Sequence, residues 1–168
     1  MLLPPGPLAV RTVPGVEVTP ALAAVIVPGS GDYVRFVRQW VGALPATADY
    51  PGGELELAGA ELFTNAARHS RSGEAGGEVT VIVAAGPGGA VLHVHDQGAA
   101  GGHVPHVKAQ RAAGLAESGR GLRIVAAISV HWAARPAADC PQAPLGDPAV
   151  TAGGCCVWCH IRPGAARP

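Results

Sequence analysis

The segment 54–70, Glu-Leu-Glu-Leu-Ala-Gly-Ala-Glu-Leu-Phe-Thr-Asn-Ala-Ala-Arg-His-Ser, constrains the fold of this chain more than any other stretch. Leu55, Ala58, Gly59, Leu62 and Ala66 recur at helical spacing and form one apolar stripe. A stripe with so many small residues lets a helix lie very close to a sheet. Candidate strands follow at once. Residues 78–85 and 90–95 are rich in β-branched residues and are separated by a Gly/Pro turn, which is a hairpin signature. Upstream, residues 25–27 read as a short strand, and Ser30 and Asp32 can cap a helix carrying Val34, Val37, Val41 and Leu44, ended by Pro45. Downstream, 122–130 is a helix-length apolar segment. Residues 131–135 and 155–161 are two further strands, joined by a proline-rich loop. The expected fold is an α/β two-layer sandwich, with a mixed, mostly antiparallel sheet covered by helices on one face.

Composition bounds the partners. With 12 Lys plus Arg against 12 Asp plus Glu, the 168-residue chain has zero formal charge and a single lysine, Lys108. Phosphate-backbone binding needs cations to displace counterions, so nucleic acid is not an expected partner. The 24 glycines and 16 prolines come near a low-complexity level, yet hydrophobic residues make up 48% and charged residues only 14%, the reverse of a disordered chain. No apolar run is long enough to span a bilayer, so no membrane is expected. The start carries prolines and no cationic region, which reads as a cytoplasmic protein with reduced cysteines. Residues 1–20 read as a flexible N-terminal tail, and 21–168 as a single domain.

Three short segments carry candidate chemistry. Glu61 and Asn65 stand one turn apart on the helix, beside its apolar stripe. A carboxylate there can take a proton from an attacking hydroxyl, and an Asn carbonyl oxygen is a hard ligand suited to Mg²⁺; a plain solvated face is the competing reading. Asp96 ends a strand in which Leu92 and Val94 share its face while Val91, His93 and His95 occupy the other. It can accept a hydrogen bond from an exocyclic amine such as adenine's, or it can simply close an Asx-type turn into Gly98. Gly119 and Gly121 free the backbone where a helix begins, so N–H groups and the positive end of the helix dipole converge on one spot, a phosphate site by construction. The stretch 98–119 is long for a structureless loop in so small a domain, and such loops are usually functional.

Together, Glu-Leu-Phe-Thr-Asn-Ala-Ala-Arg-His-Ser (61–70), Asp-Gln-Gly (96–98) and Gly-Arg-Gly-Leu-Arg-Ile-Val (119–125) resemble, in order and spacing, the N, G1 and G2 boxes of the GHKL histidine-kinase-like ATPase superfamily. Within it the chain looks most like the anti-sigma factor serine kinases of the RsbW and SpoIIAB type, over about residues 28–162. The resemblance implies a Bergerat-type ATP-binding fold with ATP and Mg²⁺ as cofactors. It implies Glu61 as the catalytic acid acting as general base on an acceptor serine, Asn65 as the Mg²⁺ ligand and Arg68 as a further residue of the nucleotide site. It implies Asp96 with Gly98 at the adenine, and Gly119, Arg120, Gly121 and Leu122 at the phosphates. Residues 99–118 would be the ATP lid, with Lys108 and Arg111 reaching phosphate. The implied partners are a STAS-domain anti-sigma factor antagonist and/or a sigma factor; apart from the resemblance, the uncovered sheet face or the first helix could mediate a homodimer, a state that periodicity does not decide.

The chain departs from the family pattern at Ala99-Ala100, where the G1 box usually carries a further glycine or proline, and in a longer 136–152 loop. Two functions follow: a Mg²⁺-ATP-dependent serine/threonine kinase, favoured by Glu61 and Asn65, and a partner-capture module without kinase activity, favoured by the altered G1 box. The ATPase half of a histidine kinase is disfavoured, because no phosphoacceptor helix pair fits before residue 28. The string Cys156-x-x-Cys159-His160 does not read as zinc-binding: strand alternation sends Cys156 and His160 to one face and Cys155 and Cys159 to the other, and no second Cys-x-x-Cys exists. Cys140, Cys155, Cys156 and Cys159 are expected to be ordinary buried thiols, and His93 and His95 exposed strand residues.

Overall fold

The computed structural model of the chain describes residues 11–12, 22–50, 53–86, 88–99 and 120–163. The elements run β1 (Arg11–Thr12), β2 (Leu22–Pro28), α1 (Val34–Gly42), α2 (Glu54–His69), β3 (Glu78–Gly86), β4 (Gly89–Asp96), α3 (Arg120–Ile128), β5 (His131–Pro136), α4 (Pro148–Thr151) and β6 (Cys155–Ile161). The strands form one sheet in the order β1-β2-β3-β4-β6-β5. Every neighbouring pair is antiparallel, so the sheet has no parallel ladder among the described residues. The β3–β4 hairpin runs from Thr80 opposite His95 to Gly86 opposite Gly89, where Gly89 takes φ +131° to turn the chain.

Alternation along the strands sorts the two faces. Val25 and Val27 of β2, Val79, Val81 and Val83 of β3, Leu92 and Val94 of β4, and Val157, Cys159 and Ile161 of β6 face α1, α2 and α3. With Val37, Val41, Leu55, Leu62, Phe63 and Val125 they make the main core. Almost all of it is aliphatic, as the scarcity of aromatics demands; Phe63 is its largest fully buried member. Gly59 shows why the α2 stripe is made of small residues: a Cβ there would meet Val41 Cγ2 at 3.2 Å and lie 3.9 Å from Leu92. The stripe therefore serves the close approach of α1 as well as of the sheet. Pro45 does not end α1, which closes at Gly42; it opens a separate 3-10 turn.

The opposite sheet face departs from expectation. The segment after β5 folds back over it: Ala137 N–H donates to Gly154 O (2.9 Å), and α4 packs on β3 and β4. His93 and His95 are consequently buried, at 3% and 0% exposure, and are not the exposed strand residues the alternation suggested. Their face was read correctly, but the chain that covers it lies more than forty residues further on. The same segment occupies part of the face expected to be uncovered and free for dimerisation. All four cysteines are free and buried. Burial pushes the thiols of Cys155 and Cys159, on the helix side, up to about 11 and about 12, so they serve as small core residues.

Candidate nucleotide site

α2 positions the first two site residues. It starts after Gly53 (φ +73°) with Glu54 and Glu56 in its first turn and ends with Arg68 and His69 in its last, an arrangement that complements the helix dipole. Its inner side is buried through Leu55, Ala58, Leu62, Phe63 and Ala66, which leaves Glu61 and Asn65 half-buried along the edge. They do not stand on an open solvated face. Arg68, one position further round, is exposed.

Asp96 ends β4 on the α2 side of the sheet, 5% exposed. Its Oδ1 accepts the Gly98 N–H at 2.7 Å, so the Asx-type turn forms, and Gly98 adopts φ +77°, a conformation that favours glycine. Burial raises the Asp96 pKa above the usual aspartate value, opposed by hydrogen bonds from the Gly98 and Cys155 backbone. A buried carboxylate held by backbone donors is a fixed, directional acceptor. The β6 backbone closes on the same point, since a Cβ at Gly154 would lie 1.8 Å from Asp96 O.

Arg71 holds this turn in place. Its Nη2 donates to Gln97 O (2.6 Å) and Ala152 O (2.7 Å), and its backbone N–H donates to Gly98 O (2.8 Å). Ser72 adds a second tie: its hydroxyl donates to Glu78 O (2.6 Å) and accepts the Gln97 N–H (2.9 Å). Both residues follow α2 directly in sequence. Their only signal there was adjacency to Ser70, because the partners are 26 and 81 residues away from Arg71.

The third segment meets the first. α3 packs against α2, and Gly121 in its first turn lies on the Glu61 carboxylate: a Cβ at 121 would be 2.7 Å from Glu61 Oε2. Arg120 is exposed, and Leu122 is half-buried against the core. The structure thus joins Glu61 with Gly121 and Asp96 with Gly98. Lys108, Arg111 and Gly119, with the rest of the 100–119 stretch, lie outside the described residues.

The family model for the histidine kinase-like ATPase domain matches residues 27–140, more than half of the chain. The chain belongs to the histidine kinase-like ATPase family. No curated protein matches it. Membership in the histidine kinase-like ATPase family implies an ATP-binding domain, and the residues present fit a nucleotide. The fixed Asp96 carboxylate suits an exocyclic amine, the half-buried Asn65 amide offers a hard oxygen, and the glycine at 121 keeps the start of α3 open beside Glu61. Within this histidine kinase-like domain, Glu61 also borders an open groove of about 850 Å³ between α1 and α2, whose walls include Arg35, Arg38 and Glu56. Neither Asn65 nor Asp96 lines that groove. Among the described residues no helix is long and apolar enough to cross a membrane.

Proposed function

We propose that the chain is a cytoplasmic Mg²⁺-ATP-dependent protein serine/threonine kinase of the anti-sigma factor type, which phosphorylates a STAS-domain antagonist and captures a sigma factor in an alternative complex. The observation that carries this reading is the seating of Gly121 on the Glu61 carboxylate, which sets a base beside a glycine-opened helix start. Bound Mg²⁺-ATP supplies the transferable phosphoryl group together with neutralisation of its charge. The chain's own residues do the rest. The Asp96 carboxylate accepts from the adenine amine, and Arg71 and Ser72 keep its turn from relaxing. Asn65 provides the metal-facing oxygen. Glu61, half-buried beside Gly121, receives the proton of the acceptor serine hydroxyl.

The second reading is a nucleotide-binding or nucleotide-free partner-capture module, favoured by Ala99-Ala100 following the G1 turn. One variant separates the two. With a STAS-domain protein encoded near this gene as acceptor, labelled ATP should transfer its terminal phosphoryl group to serine or threonine in the presence of the wild-type chain. Glu61→Ala should abolish transfer while leaving nucleotide binding largely intact. Equal transfer by the variant refutes the role of Glu61, and binding of the acceptor without any transfer by wild type establishes the capture module.

A further inference from the structure

On the sheet face away from the nucleotide residues, four side chains from three parts of the chain converge: His93 and His95 of β4, Cys156 of β6 and Cys140 from the segment after β5. Their ligand atoms all lie within 4.8 Å of one another, and each residue is buried. The β4–β6 register sets His95 directly opposite Cys156, and strand alternation places His93 on the same face, two residues back. Cys140 is delivered by the 3-10 turn 137–139, itself fastened to Gly154.

We infer that His93, His95, Cys140 and Cys156 form a structural zinc site that pins residues 137–152 onto the sheet. Zinc bound by two thiolates and two imidazoles is tetrahedral, with Zn–S of about 2.3 Å and Zn–N of about 2.0–2.1 Å. Those bond lengths put the nitrogen and sulfur corners of the tetrahedron about 3.6 Å apart. His93 Nδ1 lies 3.5 Å from Cys140 Sγ and 3.7 Å from Cys156 Sγ, already on that spacing.

His95 supplies the independent observation. Its Nδ1 is 2.6 Å from Asp147 Oδ2, and the Asp147 carboxylate is held in turn by Thr80 Oγ1 (3.0 Å) and the Ala149 N–H (2.9 Å). That carboxylate occupies Nδ1 and leaves Nε2 as the ring position open to a ligand. Among the described residues Nε2 is buried without a hydrogen-bond partner, a costly state for an imidazole nitrogen unless a cation faces it. Carboxylate, histidine and metal in a line is how zinc-ligating imidazoles are usually oriented. A closed set of four protein ligands with no access for solvent marks a structural site, and the two thiols would lose their protons on binding. The Cys-x-x-Cys-His spacing is not involved: Cys159 points into the core on the opposite face.

The test is elemental analysis of the purified full-length chain, with zinc-edge X-ray absorption on the same sample. The expected result is stoichiometric zinc with two sulfur and two nitrogen neighbours. Cys140→Ser and Cys156→Ser should reduce the zinc content to near zero, and Cys159→Ser should leave it unchanged. Asp147→Asn should weaken zinc binding by about 10- to 100-fold in a chelator competition. Wild-type protein that neither carries zinc nor takes it up from added zinc chloride would overturn the inference. So would a zinc shell without sulfur, iron or copper in zinc's place, or full loss of zinc in Cys159→Ser alone. None of these readouts depends on ATP or on a kinase substrate.

Discussion

Replacing Arg71 with methionine keeps the aliphatic stem and removes the guanidinium, which isolates the clamp on the Asp96–Gly98 turn. The Arg71 Nη2 donates to two carbonyls, Gln97 O at 2.6 Å and Ala152 O at 2.7 Å. Hydrogen bonds to a charged donor contribute about 1.5–3 kcal/mol each. Both bonds share one nitrogen and the side chain is only partly buried, so their effects do not add fully; a total of about 3 kcal/mol is the working figure. The backbone bond from Arg71 N–H to Gly98 O survives the substitution. Urea unfolding of Arg71→Met should therefore show a lower midpoint, with the slope unchanged. Arg71→Lys should recover about half of the loss, since an ammonium reaches one carbonyl well but lacks the planar fork. Arg68→Ala, exposed on the last turn of α2, should change stability by less than about 0.5 kcal/mol. A loss below about 1 kcal/mol for Arg71→Met, or equal losses for Arg71→Met and Arg68→Ala, would refute the idea that the clamp is specific.

Phe63→Ala should cost about 3–5 kcal/mol by the same assay, because Phe63 is fully buried in a core with few other large side chains to close the cavity. Gly154→Ala should lower the thermal midpoint and weaken nucleotide binding together. The added methyl group would lie 1.8 Å from Asp96 O and 2.9 Å from Ala149 O, both backbone atoms that cannot swing aside. Gly121→Ala should be milder for stability, by about 1 kcal/mol or less, because the contacting atom is the end of a glutamate side chain; displacing that carboxylate should nonetheless reduce phosphoryl transfer.

The elements of this fold were legible wherever a period was strong. The 3.6-residue stripe of α2 and the alternating runs of β3, β4 and β6 appear in the structure within a residue or two of where the pattern puts them. Alternation also assigned His93 and His95 to the face away from Leu92, Val94 and Asp96. It could not say what covers that face. Burial of the two histidines depends on residues 137–152, whose prolines and glycines carry no period and whose docking rests on single bonds such as Ala137 to Gly154. For the same reason Cys140 and Cys156 gave no recognisable spacing with the two histidines: the four meet through strand pairing and a loop, not through a local motif. The segments that hold Glu61, Asn65, Asp96 and Gly121 could be picked out in the sequence, whereas the Arg71 clamp on the Asp96–Gly98 turn could not. An arginine after a helix looks like any other until its two distant carbonyls are in place.

Asp96 is the residue on which the nucleotide reading turns, because its fixed carboxylate can accept from the amine of adenine and faces a carbonyl oxygen if guanine takes the same place. Titration calorimetry of the full-length chain with Mg²⁺-ATP, Mg²⁺-GTP and Mg²⁺-ATP on Asp96→Ala tests it most directly. One charge-assisted hydrogen bond is worth about 1.5–3 kcal/mol, which corresponds to an affinity ratio of about 10- to 100-fold. The account predicts that wild type binds ATP at least about tenfold more tightly than GTP and that Asp96→Ala erases that preference. No ATP binding at millimolar nucleotide, or an ATP preference untouched by Asp96→Ala, would contradict it.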